Sequence, residues 1–108
     1  MTNTAESLDQ VFGALADGNR RKILTALKSG PQTIKALAEP IGISTWGVMK
    51  HVQVLENCGL IESEKRGRSR FCRLQIKELD GASGWIQDML GFWGQNLERL
   101  TIHLQEND

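Results

Sequence analysis

Net charge is the first thing this chain lacks: thirteen Lys and Arg stand against thirteen Asp and Glu, giving a formal charge of zero at pH 7. That balance excludes a simple polycation that coats nucleic acid. Cysteine is scarce as well, with Cys58 and Cys72 the two thiols in 108 residues. Two thiols are too few for a closed zinc site, and a reducing compartment gives them no structural bridge, so buried or half-buried thiols are expected. No apolar run approaches the roughly 18 residues of a spanning helix. The opening MTNTAESLDQ has neither the cationic start nor the apolar centre of a signal peptide, so a cytoplasmic location is the expectation. Catalytic signatures are missing too: no Gly-rich phosphate loop after a strand, no G-x-S-x-G and no H-E-x-x-H. His51 and His103 fall on separate helices with no adjacent nucleophile, so nothing points to an enzyme or to a cofactor.

The charges that are present are unevenly placed. Between Ser44 and Arg73, Lys50, Lys65, Arg66, Arg68, Arg70 and Arg73 outnumber Glu56, Glu62 and Glu64, whereas from Leu74 onward acids outnumber bases. A basic middle and an acidic tail can meet phosphate on one side only. Within that middle, Val48, Val52 and Leu55 recur at helical spacing and should face a core. Thr45, Trp46, Met49, Lys50 and Gln53 fall on the other side. An indole, a thioether, a cation and an amide crowded on one outward face need a better partner than water, and DNA bases and phosphates supply it.

The length is that of a single domain, residues 1–108, with a core that oligomerisation would help to complete. Leu8, Val11, Phe12, Leu15 and Ala16 form the stripe of a short amphipathic helix over Ser7 to Ala16. Asp17 or Asn19 then caps a second helix, Arg20 to Lys28, whose Arg20, Arg21 and Lys22 read as a solvated face. Thr33 caps a third helix, expected to end at Glu39 because Pro40 disfavours helical geometry before it, leaving Pro40 to Ile43 as a turn. Ser44 caps a fourth, to Asn57, which Gly59 stops. Two short helices about a Gly-bearing turn make a helix-turn-helix whose second member, about residues 44–57, reads the major groove. Leu60 to Glu64 and Ser69 to Leu74 then frame Lys65-Arg66-Gly67-Arg68 as a β-hairpin, with Gly67 supplying a positive φ. A hairpin carrying arginines of one sign beside a reading helix is a wing, over about residues 60–74. The fold class is therefore mainly α with a small β-hairpin wing.

From about residue 82 to 105 the pattern becomes one long helix. Trp85, Met89, Trp93, Leu97, Leu100 and Leu104 step by three or four, and Ile86, Leu90 and Phe92 widen the stripe. So wide an apolar face exceeds what a small winged domain can cover, so a second copy of the chain is expected to cover it.

With those elements in order, the sequence resembles the ArsR family of dimeric winged-helix bacterial repressors. The matching stretches are FGALADGNRRKILTAL (Phe12 to Leu27), LAEPIG (Leu37 to Gly42), STWGVMKHVQVLENCGLI (Ser44 to Ile61) and KRGRSRFCRL (Lys65 to Leu74). The tail looks like the branch of that family without metal ligands. The resemblance implies a homodimer joined through its first and last helices, with Leu8, Val11, Phe12, Trp85, Met89, Trp93, Leu97, Leu100 and Leu104 at the interface. Its partner is double-stranded DNA carrying a palindromic operator. Ser44, Thr45, Trp46, Met49, Lys50 and Gln53 fall where the family contacts bases or phosphates, and Arg66, Arg68 and Arg70 fall in the wing. His51 either donates to a phosphate or is a packed, half-exposed imidazole. Trp46 and Met49 replace the small or hydroxyl-bearing residues usual there, which suits contacts to thymine methyl groups.

Many relatives sense metals, but the third helix here has no cysteine. His103 and Glu106 reproduce half of a last-helix zinc site, while the stretch around Leu90-Gly91-Phe92 offers no partner ligands. Two ligands leave a four-coordinate ion incomplete, so no metal is expected. Two alternatives accompany the repressor reading: a winged-helix protein-interaction module anchored by Trp46 and Met49, and a redox- or metal-responsive relative in which Cys58 and Cys72 approach each other. No residue pattern identifies an effector.

Overall fold

The computed structural model describes the backbone of residues 4–106 and the side chains of residues 7–97 and Arg99. Five helices and a small sheet follow one another in the order α1 (Thr4–Leu15), α2 (Gly18–Ala26), β1 (Gln32–Thr33), α3 (Ile34–Ile41), α4 (Thr45–Asn57), β2 (Ile61–Arg66), β3 (Ser69–Leu74) and α5 (Leu79–Glu106). A 3-10 turn, Leu27–Ser29, closes α2.

Local chemistry sets most of the helix ends. The Asp17 carboxylate accepts from the backbone N–H groups of Asn19 and Arg20 at 2.8 and 3.1 Å, and the Thr33 hydroxyl accepts from Ala36 N–H at 3.0 Å. The Ser44 hydroxyl accepts from Gly47 N–H at 3.0 Å, starting α4. Each satisfies donors that the first helical turn cannot. At the far end of α4, Leu60 N–H reaches Leu55 O at 2.9 Å and Gly59 N–H reaches Glu56 O at 3.0 Å, a Schellman closure that needs the φ of +81° at Gly59.

Three sequence expectations need correction here. Helix α3 runs through Pro40 to Ile41 and ends on Gly42 in the left-handed conformation, with Gly42 N–H donating to Ala38 O at 2.9 Å. Pro40 removes one rung of the ladder, but both it and Ala36, whose carbonyl loses the bond, are exposed and open to water. The turn therefore shrinks to Gly42, Ile43 and the cap Ser44. Secondly, Arg20 and Arg21 are not merely a solvated face. Arg20 donates to the carbonyls of Ala14 (2.7 Å) and Gly13 (3.1 Å), and Arg21 to that of Leu15 (2.7 Å), so these guanidinium groups cap the last turn of α1. Thirdly, the sheet has three strands in the order β1-β3-β2, all antiparallel, because Gln32 and Thr33 pair with Cys72 and Phe71.

All five helices and both hairpin strands supply the core. Val11 and Ala14 from α1, Ile23 from α2, Leu37 from α3, Val48, Val52 and Leu55 from α4, and Ile61 and Cys72 from the hairpin are all essentially closed to solvent. Val11 therefore lies inside the protomer, where it is unavailable to a partner copy, contrary to its place in the expected interface. Helix α5 contributes one fully buried residue among those described, Ala82. Leu79 packs against the core at its edge, and along the described part of the helix Trp85, Ile86, Leu90, Phe92, Trp93 and Leu97 are exposed and Met89 is half-buried. The Trp85 ring meets Phe12 edge to face at 5.7 Å, and with Leu8 and Asp9 these two rings line an open apolar depression of about 430 Å³. Leu100, Leu104, His103 and Glu106 lie outside the residues whose side chains are described.

Candidate nucleic-acid interface

Helix α4 divides its two faces cleanly. Val48, Val52 and Leu55 are closed, while Trp46, Met49, Lys50 and Gln53, at i, i+3, i+4 and i+7, form an outward stripe. Trp46 is 67% exposed, the most open large apolar side chain described, and the Lys50 ammonium sits 5.2 Å from the centre of its ring. This cation–π contact holds a positive charge and a flat apolar surface together without neutralising either. Thr45 and Ser44 open the same end of the helix. His51 is half-buried at the edge of the core face; the pKa of Asp17 is lowered chiefly by the Arg20 backbone N–H, with a smaller contribution from His51.

Period-two alternation sorts the wing. Ile61, Ser63 and Lys65 on β2 share a face with Arg70, Cys72 and Leu74 on β3, and burial fades along that face from Ile61 and Cys72 to the exposed Lys65 and Arg70. This is the face turned to α4. Between helix and hairpin, Met49, Val52, Gln53, Glu56 and Arg70 line a cleft of about 240 Å³. On the opposite face the arginines are engaged at home: Arg66 pairs with Glu64 at 3.2 Å and stacks 5.5 Å from the Phe71 ring, and Arg73 pairs with Glu62 at 2.9 Å. Strands extend further than expected, to Arg66, so the turn is Gly67-Arg68 alone; Gly67, at φ +61°, fits the first position of a type II′ hairpin. Arg68 stands exposed at the tip.

Trp46, Met49, Lys50, Gln53 and Arg70 therefore converge on one surface, Arg68 sits at its end, and Arg66 faces away. Lys65 belongs with Arg70 and was missed from the sequence, although stepping by two from Ile61 would have placed it there. The surface offers apolar contact, an amide with both donor and acceptor, and unpaired cations, the chemistry that base edges and phosphates accept.

The comparisons with known proteins agree with this geometry. Residues 15–64 match the model of a helix-turn-helix domain, which covers the three helices and the start of the wing. The transcriptional repressor SdpR of Bacillus subtilis is 29% identical over 83 residues, spanning 77% of this chain and 92% of SdpR. A crystal structure of an ArsR family transcriptional regulator superposes with a TM-score of 0.77 at 34% identity, over 87% of this chain and 97% of that one. The chain belongs to the ArsR family. It is a transcriptional regulator with a DNA-binding helix-turn-helix and a wing. A more distant member of the fold, the homodimeric winged helix-turn-helix DNA-binding domain of Mb0332 from Mycobacterium bovis, superposes with a TM-score of 0.65 at 23% identity, over 82% of this chain and 83% of that one.

Two buried thiols lie close to the interface of this ArsR protein. Cys72 is fully buried in β3, and burial, aided by Glu56, pushes its thiol up to about 11. Cys58 is buried at the end of α4 with its thiol also raised by desolvation, and its Sγ lies 3.4 Å from Leu55 O. A thiol held in its protonated form is a poor nucleophile, which argues against the redox-responsive alternative. Among the described residues, no group of three His, Cys, Asp or Glu is placed to hold a metal ion, and no helix is long and apolar enough to cross a membrane.

Proposed function

We propose that this ArsR protein is a cytoplasmic homodimeric repressor that occupies a palindromic operator. The N-terminal half of α4 lies in the major groove, and the wing grips the neighbouring backbone. The observation that carries the reading is the stripe Trp46, Met49, Lys50 and Gln53, exposed on a capped helix whose other face is locked into the core. Lys50 and Gln53 are suited to phosphate or base-edge hydrogen bonds, and Trp46 with Met49 to apolar contact with thymine methyl groups. Ser44 and Thr45 present the first turn of the helix to the backbone. Arg68 and Arg70 serve the wing, with Lys65 beside Arg70. Arg66 has first to leave Glu64 before it can join them.

The exposed stripe of Trp85, Trp93 and Leu97, together with Leu8 and Phe12, supports pairing through α1 and α5, and Met89, half-buried, lies within it. Twofold pairing sets two reading helices on half-sites about one helical turn apart, about 10 base pairs. Repression follows from occupancy, since a dimer seated across a promoter excludes the transcription machinery; the relative SdpR is itself named a transcriptional repressor.

Selection of bound duplexes from a random pool tests class, symmetry and spacing together. An inverted repeat should emerge, and the affinity for it should fall steeply with salt as phosphates release counterions. Trp46→Ala should change the enriched bases. No enrichment, or an affinity indifferent to salt, would favour the reading of Trp46 and Met49 as anchors for a partner protein.

A further inference from the structure

The cleft between α4 and the hairpin is bridged by a chain of three side chains from three elements. The Ser63 hydroxyl on β2 donates to Glu56 Oε1, on the last turns of α4, at 2.6 Å. Its proton thus committed, the Ser63 oxygen has only lone pairs left to offer, and Arg70 Nη1 on β3 donates to it at 3.0 Å. The polarity of the chain is therefore fixed: guanidinium to hydroxyl to carboxylate. The charge at its end strengthens both links, since hydrogen bonds to ionised groups are shorter and stronger than neutral ones, and a bonded chain polarises along its length.

The strand register explains why these three meet. Ser63 lies opposite Cys72 and Lys65 opposite Arg70, so Arg70 is the diagonal neighbour of Ser63 on the face turned toward α4. Level with Ser63 is the buried Cys72 and one step inward the buried Ile61; one step outward are the exposed Lys65 and Arg70. Ser63 is half-buried at that boundary, where an apolar residue would be partly wet and a longer polar one would push the hairpin off the helix.

We propose that Glu56 and Ser63 are positioning residues for Arg70, holding its guanidinium at the root of the wing where the DNA backbone passes between the reading helix and the hairpin. Arg70 lines the cleft with Met49 and Gln53, so a phosphate reached by Arg70 is adjacent to the bases reached by α4. One nitrogen of the guanidinium is used by Ser63, and the remaining N–H groups of the fork stay available to phosphate oxygens. Glu56 does not touch DNA. It fixes the angle between wing and helix and, through Ser63, one of the long side chain's many rotamers, so the contact is made with less ordering cost on binding. The other wing arginines lack this arrangement: Arg68 is free at the tip, and Arg66 is drawn to the opposite face by Glu64 and Phe71.

The inference rests on the DNA-binding reading above, and the test separates the two. Affinity of the full-length protein for its selected operator is measured across a salt series for wild type, Ser63→Ala, Ser63→Thr, Glu56→Gln, Arg70→Ala and the Ser63→Ala/Arg70→Ala double variant, with thermal melts of each. Ser63→Ala should weaken binding about three- to tenfold per half-site, the range expected for losing one net hydrogen bond, and Glu56→Gln by less, because the amide oxygen still accepts from Ser63 and only the charge is lost. Arg70→Ala should lower the magnitude of the salt slope by about 1.8, one phosphate contact from each of the two protomers. Ser63→Ala should lower it in the same direction, and Ser63→Thr should restore affinity and slope because it restores the hydroxyl. The double variant should bind no worse than Arg70→Ala. A Ser63→Ala protein with wild-type affinity and slope, or single effects that add fully in the double variant, overturns the positioning role while leaving the DNA reading intact. A wild-type protein without salt-dependent duplex binding overturns both. A merely structural serine would change the melt without changing the slope, and that outcome also overturns the proposal.

Discussion

Trp93→Ala is the sharpest perturbation of the proposed dimer. Trp93 lies on α5, is 57% exposed in the isolated protomer, and belongs to a stripe that is largely open among the described residues. A tryptophan offers about 150–250 Å² to be buried, so about 85–140 Å² of this side chain awaits a partner. At about 25 cal/mol per Å², covering it fully would contribute about 2–3.5 kcal/mol per protomer. Twofold symmetry counts the side chain twice in each dimer, about 4–7 kcal/mol in total; covering half its open area still leaves about 2–3.5 kcal/mol, or about thirty- to three-hundredfold in dissociation constant. Sedimentation equilibrium over a range of protein concentrations, with far-ultraviolet circular dichroism to confirm that the helices persist, measures this directly. Met49→Ala is the matching control: Met49 is also exposed, but it lies on the reading helix, so its loss should weaken operator binding and leave self-association unchanged. Equal dimerisation of wild type and Trp93→Ala would refute the assignment of this face to a second copy, and with it the twofold operator.

Other expectations follow from the same contacts. Arg20→Ala removes two charged hydrogen bonds to the α1 carbonyls of Gly13 and Ala14 and should lower the unfolding free energy by about 1–2 kcal/mol, read from denaturant melts at fixed protein concentration; an unchanged midpoint would mean the cap is replaced by water at no cost. The Cys72 thiol titrates at about 11 in the folded chain against an ordinary value of 9.0, so the folded state holds its proton while the unfolded chain releases it. Stability should therefore be full below pH 9, fall as pH rises from about 9 to about 11, and lose that part of its slope in Cys72→Ala. The same burial predicts slow alkylation of Cys72 at neutral pH in native protein and rapid alkylation in denaturant.

The reading helix was legible because its signals agree at every level: a Ser cap, a core stripe of Val48, Val52 and Leu55, and Gly59 at the exit. The extent of α5 was legible from its apolar period alone. What the sequence hid are features set by tertiary contact. A two-residue strand such as β1 has no period to detect, and it exists only because the edge of β3 is there to pair with it. The proline rule at Pro40 yielded to the Thr33 and Gly42 caps at either end of α3, with the lost rung facing water. In the interface, the stripe on α4 was readable as a helical face. The division of the wing arginines was not, because it depends on which strand face each residue occupies and on the local pairings of Arg66 with Glu64 and Arg73 with Glu62. Val11 shows the limit of helical periodicity: a stripe says which residues turn inward, not whether the inward neighbour is the same chain or another.

Thr33 is at once the last residue of β1 and the cap of α3, with no linker between the two roles. Through β1 the outer edge of the sheet is welded to the first helix of the DNA-reading pair, while the hairpin's inner face is tied to the second. A rocking motion of the hairpin therefore has no slack to absorb it and must carry α3 along. Whatever displaces this wing, be it a bound molecule or a distorted duplex, moves the whole reading head as one rigid piece.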